Sequence, residues 1–197
     1  MRRNNWLSAR GCAALLVVLG GLLLSGCRET PVPLPRGYFR IELPAPGYVA
    51  DVSPSGCTFE RPVYARVGPG ETRDQITYFT LDFLPLDAQT FVAHFPLRGD
   101  LDAHIAAVHE EVATHEIKAS GIGRRRFAFP ERKVYGVLFD LEGPVATPIH
   151  IYATDSVSNF LHATVYFNHR PNPDSIAPSR ERVHADLERW IETLAWP

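Results

Sequence analysis

From residue 76 onward, apolar and polar residues alternate in short runs separated by turn formers. Thr77, Phe79, Leu81 and Phe83 share one side of residues 76–84, and Pro85 ends the run. Phe91, Ala93 and Phe95 share one side of residues 89–95, and the short link between these runs predicts a hairpin. The alternation returns in Arg125, Phe127 and Phe129, then in Tyr135, Val137, Phe139 and Leu141. It returns again in Ile149, Ile151 and Ala153, and in Leu161, Ala163, Val165 and Phe167. A side-chain period of two belongs to a strand with one side on a core. Turns are expected at Pro130, at Gly143-Pro144 and over residues 155–159, where Asp, Ser and Asn side chains bond their own backbone.

Two segments carry the helical period instead. Leu101, Ile105, Val108 and Val112 form one stripe, with Asp100 as predicted N-cap and Gly121 and Gly123 as the stop. Val183, Leu187, Trp190, Ile191 and Leu194 form a second stripe, in a helix expected from about Pro178. Upstream, Phe39, Ile41 and Leu43 alternate and predict a first strand over residues 38–43. Residues 47–75 are rich in Gly, Pro and Ser and predict loops, with a short strand or docked loop around Phe59 and Tyr64. This order predicts an α+β domain, a single largely antiparallel sheet of about six or seven strands with packed helices, a layered sandwich like the PsbP/Mog1 type.

The amino-terminal pattern differs from all of this. Arg2, Arg3 and Arg10 precede an apolar run over residues 12–24, which ends in Leu24-Ser25-Gly26-Cys27. A basic start, an apolar middle and small residues before a cysteine make a lipoprotein signal. The run is short of the roughly 20 residues that span a bilayer. Residues 1–26 are therefore read as a cleaved signal peptide and Cys27 as the lipidated residue, its thiol taking the lipid. Pro31, Pro33 and Pro35 make residues 27–37 a semi-rigid tether, and residues 38–197 a single α+β domain.

Cleavage leaves 171 residues, enough for a full core. Without the three signal arginines, the 20 basic residues become 17 against 22 acidic ones, a charge near −5. That balance argues against nucleic acid as a partner. With Cys12 in the signal and Cys27 lipidated, Cys57 has no partner for an intramolecular disulfide and reads as a small core residue.

Candidate chemistry is thin. His104, His109 and His115 lie on one helix at spacings of five and six, not the three or four that put two ligands on one face. No metal and no cofactor are expected. Gly121-Ile122-Gly123 lacks the third glycine of a dinucleotide loop; Arg124, Arg125 and Arg126 read as a solvated strand edge, with a small anion-binding spot for phospholipid or an acidic partner as the other reading. Asp140 and Glu142 face one side of a strand end, where an acid/base pair is one reading and charges closing a hairpin the ordinary one. Ser156 sits in a turn, and no nucleophile motif surrounds it. The chain is read as non-enzymatic.

One stretch is unusual. Tyr166-Phe167-Asn168-His169-Arg170-Pro171-Asn172-Pro173-Asp174-Ser175 is a strand-to-helix corner stiffened by two prolines. Arg170 is offered there to a carboxylate or phosphate, while Asn172 and Asp174 can cap turns and Asp174 or Ser175 the helix. Together with Arg36-Gly37-Tyr38, Val134-Tyr135-Gly136-Val137, Phe139-Asp140, Thr154-Asp155-Ser156 and Ile191-Glu192-Thr193-Leu194, this stretch resembles the gliding motility-associated lipoprotein GldD family of the Bacteroidota. His162-Ala163 and Pro144 depart from the family's pattern.

The resemblance implies a lipid-anchored envelope protein supporting gliding and the linked type IX secretion machinery, with no catalytic residues. Its partners would be the bilayer, through acylated Cys27, and envelope proteins of that machinery. Arg170, Asn172, Asp174 and Asp155 are the candidate docking residues. Location is expected at the cell membrane or outer membrane, facing the periplasm, and Arg28 after Cys27 favours the outer membrane. The alternative is an envelope lipoprotein binding a small hydrophobic or anionic ligand between sheet and helix.

Overall fold

The alternating runs in the second half of the chain pair with one another as antiparallel neighbours. The computed structural model describes residues 42–168 and 173–197. Among these, the strands are β1 (Tyr48–Val52), β2 (Thr58–Pro62), β3 (Arg66–Val67), β4 (Glu71–Arg73), β5 (Ile76–Phe83), β6 (Ala88–Pro96), β7 (Gly121–Phe129), β8 (Val134–Glu142), β9 (Ile149–Thr154) and β10 (Asn159–Phe167). The helices are α1 (Leu101–Thr114) and α2 (Pro173–Thr193). Eight strands form one sheet in the order β3-β5-β6-β10-β9-β8-β7, with β4 also on β5. β1 and β2 form a separate two-stranded ribbon.

The fold is α+β and antiparallel, as expected, but the expected single sheet of six or seven strands is too small. The missing strands come from residues 47–75, read from the sequence as mostly loop. They are short, and β1 and β4 are largely exposed, so no alternation marks them. Of the first strand expected over residues 38–43, only Glu42 and Leu43 are described, and neither is in a strand. Gly121 and Gly123 do not merely end a helix but open β7. α2 begins at Pro173 rather than near Pro178, which lies inside the helix and gives its ladder no N–H. Asp174 is thus in the first helical turn, where a carboxylate suits the helix dipole.

Connection explains the layers. The chain leaves β6 in the middle of the sheet and must reach β7 at its far edge. α1 makes that crossing and packs over one face, where Val108 and Val112 meet Val137, Phe139, Leu141, Tyr152 and Phe160. After β10 the chain turns to the other face. There Val183, Leu187, Trp190 and Ile191 of α2, with Leu194 just after it, meet Leu138, Ile149, Ile151, Leu161, Ala163 and Val165. Every predicted stripe residue of α2 is buried. All six residues of β9 are buried as well, because this central strand is covered on both faces. Cys57 is buried in the α2-side core, as a small apolar residue would be.

The β1–β2 ribbon is held to α2 and the segment after it. Thr58 and Ala195 exchange backbone hydrogen bonds of 3.0 and 2.8 Å. Thr193 Oγ1 accepts from the Glu60 amide at 2.8 Å, and Arg189 pairs with Glu60 at 2.7 Å.

Candidate functional site

The strand alternation that fills the core also places two histidines beneath α1. Along β9, Ile149, Ile151 and Ala153 face α2, so His150 and Tyr152 face α1. Along β10, Leu161, Ala163 and Val165 face α2, so His162 and Thr164 face α1. The register sets Thr164 directly opposite His150 and His162 opposite Tyr152. Glu111, on the last turn of α1, reaches down between the rings. His150 Nδ1 is 3.6 Å from Glu111 Oε1, and His162 Nδ1 is 3.8 Å from Oε2. One ligand atom from each of the three residues lies within 4.8 Å of the others.

Further polar groups hold the rings. Thr147 Oγ1 lies 3.1 Å from His150 Nε2 and 2.9 Å from His115 Nε2. Thr164 Oγ1 lies 3.4 Å from both His150 Nδ1 and His162 Nε2. Its single hydroxyl proton can serve only one of them. The His150 side chain is 0% exposed and that of His162 15%. Burial brings the His150 ring down to about 4, with Glu111 opposing and the neighbouring rings adding to the shift. Burial alone brings His162 to about 4. Both are neutral imidazoles at neutral pH. Glu111, by contrast, keeps 45% of its side chain exposed and opens the cluster to water.

The helix-spacing argument applied to His104, His109 and His115 does not reach this cluster. Only His115 of that set touches it, through Thr147 and with its ring 5.5 Å from that of His150. His104 stacks with Phe95 and Phe160, and exposed His109 stands against Phe139. Asp100 occupies the cap position of α1 but makes no side-chain capping bond; it accepts from the Arg98 amide at 2.9 Å and pairs with His104 at 3.4 Å. A visible signal did exist: a histidine in the middle of each of two highly apolar strands.

Arg170 and Asn172 of the expected docking set lie outside the described residues. Asp174 is exposed at the start of α2, whereas Asp155 lies in the β9–β10 turn. Strand β10 runs between them, roughly 25 Å at the usual rise, so the two do not form one patch. Asp155 Oδ1 accepts from the amides of Val157, Ser158 and Asn159 at 2.9, 2.7 and 2.9 Å, and Oδ2 accepts from Asn159 Nδ2 at 2.8 Å. The turn thus satisfies itself as expected, with Ser156 at φ 69°. Burial alone would raise the Asp155 carboxyl, but these hydrogen bonds outweigh it and hold it below the usual range.

Asp155→Ala is expected to destabilise the chain by about 1–3 kcal/mol by stranding the three amides. Asp155→Asn keeps one acceptor oxygen and should cost less. Because the folded carboxyl is depressed, its stabilisation is present above about pH 4 and lost as pH falls through the folded value. The gap between the native chain and Asp155→Asn should close in that acid window, as read from urea unfolding midpoints.

Asp140 and Glu142 do share a face, that of α2, and line a groove with Arg180, Glu181 and His184. Asp140 is paired with Arg180, whose guanidinium also donates to the Leu141 carbonyl at 3.1 Å. On the other side of the sheet, a groove beside the start of α1 is lined by Leu101, Ile105, Arg126, Tyr135, Gly136 and Tyr152. Any Cβ at Gly136 would overlap the Tyr152 carbonyl and the Phe127 ring. Arg124, Arg125 and Arg126 are exposed on edge strand β7, and Arg125 pairs with Glu188 at 2.5 Å. Among the described residues, no helix is long and apolar enough to cross a membrane.

The family model described as "Gliding motility lipoprotein GldD" matches residues 28–196. No curated protein and no solved structure matches. The expected likeness to the PsbP/Mog1 layered type is not shown.

Proposed function

As the chain belongs to the gliding motility lipoprotein GldD family, we propose that it is a lipid-anchored envelope protein that supports gliding and the linked type IX secretion machinery by protein contact, without turnover. The family match over residues 28–196 is the observation that carries this reading. The anchor is acylated Cys27, which lies outside the described residues. The domain stands at the cell membrane or outer membrane and faces the periplasm.

A surface suited to contact supports the reading. Tyr78, Phe91 and Tyr166 are 42%, 51% and 42% exposed. The register puts them on the sheet face that α1 covers only in part. Exposed aromatic groups of this kind are common at protein interfaces. The groove at Arg126 gives the alternative, a small hydrophobic or anionic ligand, its physical foothold. A molecule retained by the purified chain in native mass spectrometry would support that alternative.

Deleting the gene is expected to stop both surface spreading and type IX export, and the native gene to restore both. Cys27→Ala should fail to restore them and should incorporate no labelled fatty acid. Normal spreading and export in the deletion strain would overturn the proposal. Full rescue by an unlipidated Cys27→Ala chain would overturn its anchor.

A further inference from the structure

We propose that Glu111, His150 and His162 bind one divalent transition-metal ion of the zinc class. The inference stands on geometry and is independent of the role in gliding. Two imidazole nitrogens and a carboxylate converge from three elements, α1, β9 and β10. A tetrahedral zinc site with bonds near 2.0–2.1 Å has ligand atoms about 3.3 Å apart. The carboxylate-to-ring separations are 3.6 and 3.8 Å. All three ligand atoms lie within 4.8 Å of one another, so binding draws Glu111, which is partly exposed, and the two rings inward together.

The surroundings favour a cation over an empty polar pocket. His150 Nδ1 faces the Glu111 carboxylate, while its Nε2 lies 3.1 Å from Thr147 Oγ1. Thr164 has one proton for two rings. A metal ion between the three groups would take a lone pair from each of them. The Thr147 bond has the form of an outer-shell contact that fixes a ligating ring, and Thr147 is itself tied to His115. Glu111 lies in the last turn of α1, where the helix dipole also favours positive charge.

The donor set selects the metal. Magnesium and calcium prefer all-oxygen shells, whereas two imidazoles and one carboxylate suit zinc and its first-row neighbours. Three protein ligands leave a fourth position, on the solvated Glu111 side, for water.

The test uses the full chain in detergent micelles, stripped with a chelator and titrated with Zn2+ alone. One ion per chain is expected, with a rise in unfolding temperature that Mg2+ does not reproduce. Glu111→Gln, a near-isosteric change on an exposed helix face, should weaken binding at least about tenfold, and His162→Gln at least as much. His109→Gln, on the same helix but outside the cluster, should bind as the native chain does. Co2+ added to the native chain should give the absorption bands of a four-coordinate nitrogen–oxygen site, a reading that needs no variant. Absence of saturable one-to-one binding would overturn the proposal. So would Zn2+ affinity unchanged by both Glu111→Gln and His162→Gln, since the ion would then sit elsewhere.

Discussion

Asp186→Ala is expected to destabilise the chain by about 3–5 kcal/mol, the cost of removing one partner from a buried charged pair. Asp186 is 1% exposed on α2. Its Oδ1 accepts from the Tyr48 hydroxyl at 2.9 Å, and its Oδ2 accepts from the Tyr64 hydroxyl. Arg182 Nε donates to the Tyr64 oxygen at 2.9 Å and lies 3.4 Å from Asp186 Oδ2. Burial, and then the Asp186 bond and charge, raise both tyrosines, so the phenols stay protonated and donate.

Removing the carboxylate takes the acceptor from both hydroxyls and the counter-charge from Arg182. Among the described residues, Arg182 Nη2 has no hydrogen-bond partner. The loss should appear as a lower urea midpoint with an unchanged slope. Replacing both members together, as Asp186→Leu with Arg182→Leu, should recover much of it, because an apolar pair leaves no orphaned charge. A single-variant loss below about 1 kcal/mol, the range of solvated surface pairs, would show that the network is solvated and weak.

These residues also show what the sequence could and could not reveal. The α2 stripe was legible because Val183, Leu187, Trp190, Ile191 and Leu194 follow the helical period and all are buried. Asp186 was not, because its partners are the nonlocal Tyr48 and Tyr64. Strands β5 to β10 were legible because each puts alternate apolar residues on a core. Strand β1 was hidden for the opposite reason: Tyr48–Val52 is mostly exposed, and Tyr48 holds α2 through a polar contact. The start of α2 was misplaced because a proline at a first helical position and a proline within a helix look alike in one sequence.

The histidine cluster illustrates the same limit. Spacing along one helix tests only ligands that share that helix. Here the sheet register joins β9 to β10, and the crossover from β6 to β7 lays α1 above them. No local pattern encodes that meeting. The interrupted apolar runs at His150 and His162 were its one local trace.

Trp190→Ala is expected to cost about 3–5 kcal/mol, the usual loss for a fully buried large aromatic. Trp190 is 1% exposed and meets Phe59 of β2 edge to face, with centroids 5.7 Å apart at 71°. Among the described residues, its indole Nε1 has no hydrogen-bond partner. Trp190→Phe gives up no hydrogen bond and should cost less than half as much as the alanine change. Asp186 and Trp190 stand four residues apart on α2, and both hold the β1–β2 ribbon, one through Tyr48 and the other through Phe59. If the ribbon releases as a unit, losing one hold removes part of what the other contributes. The Asp186→Ala, Trp190→Ala double variant should therefore lose less than the sum of the singles. A double-mutant cycle from urea unfolding measures this. Additivity within about 0.5 kcal/mol would mean that the two holds act separately and that the ribbon opens piecemeal.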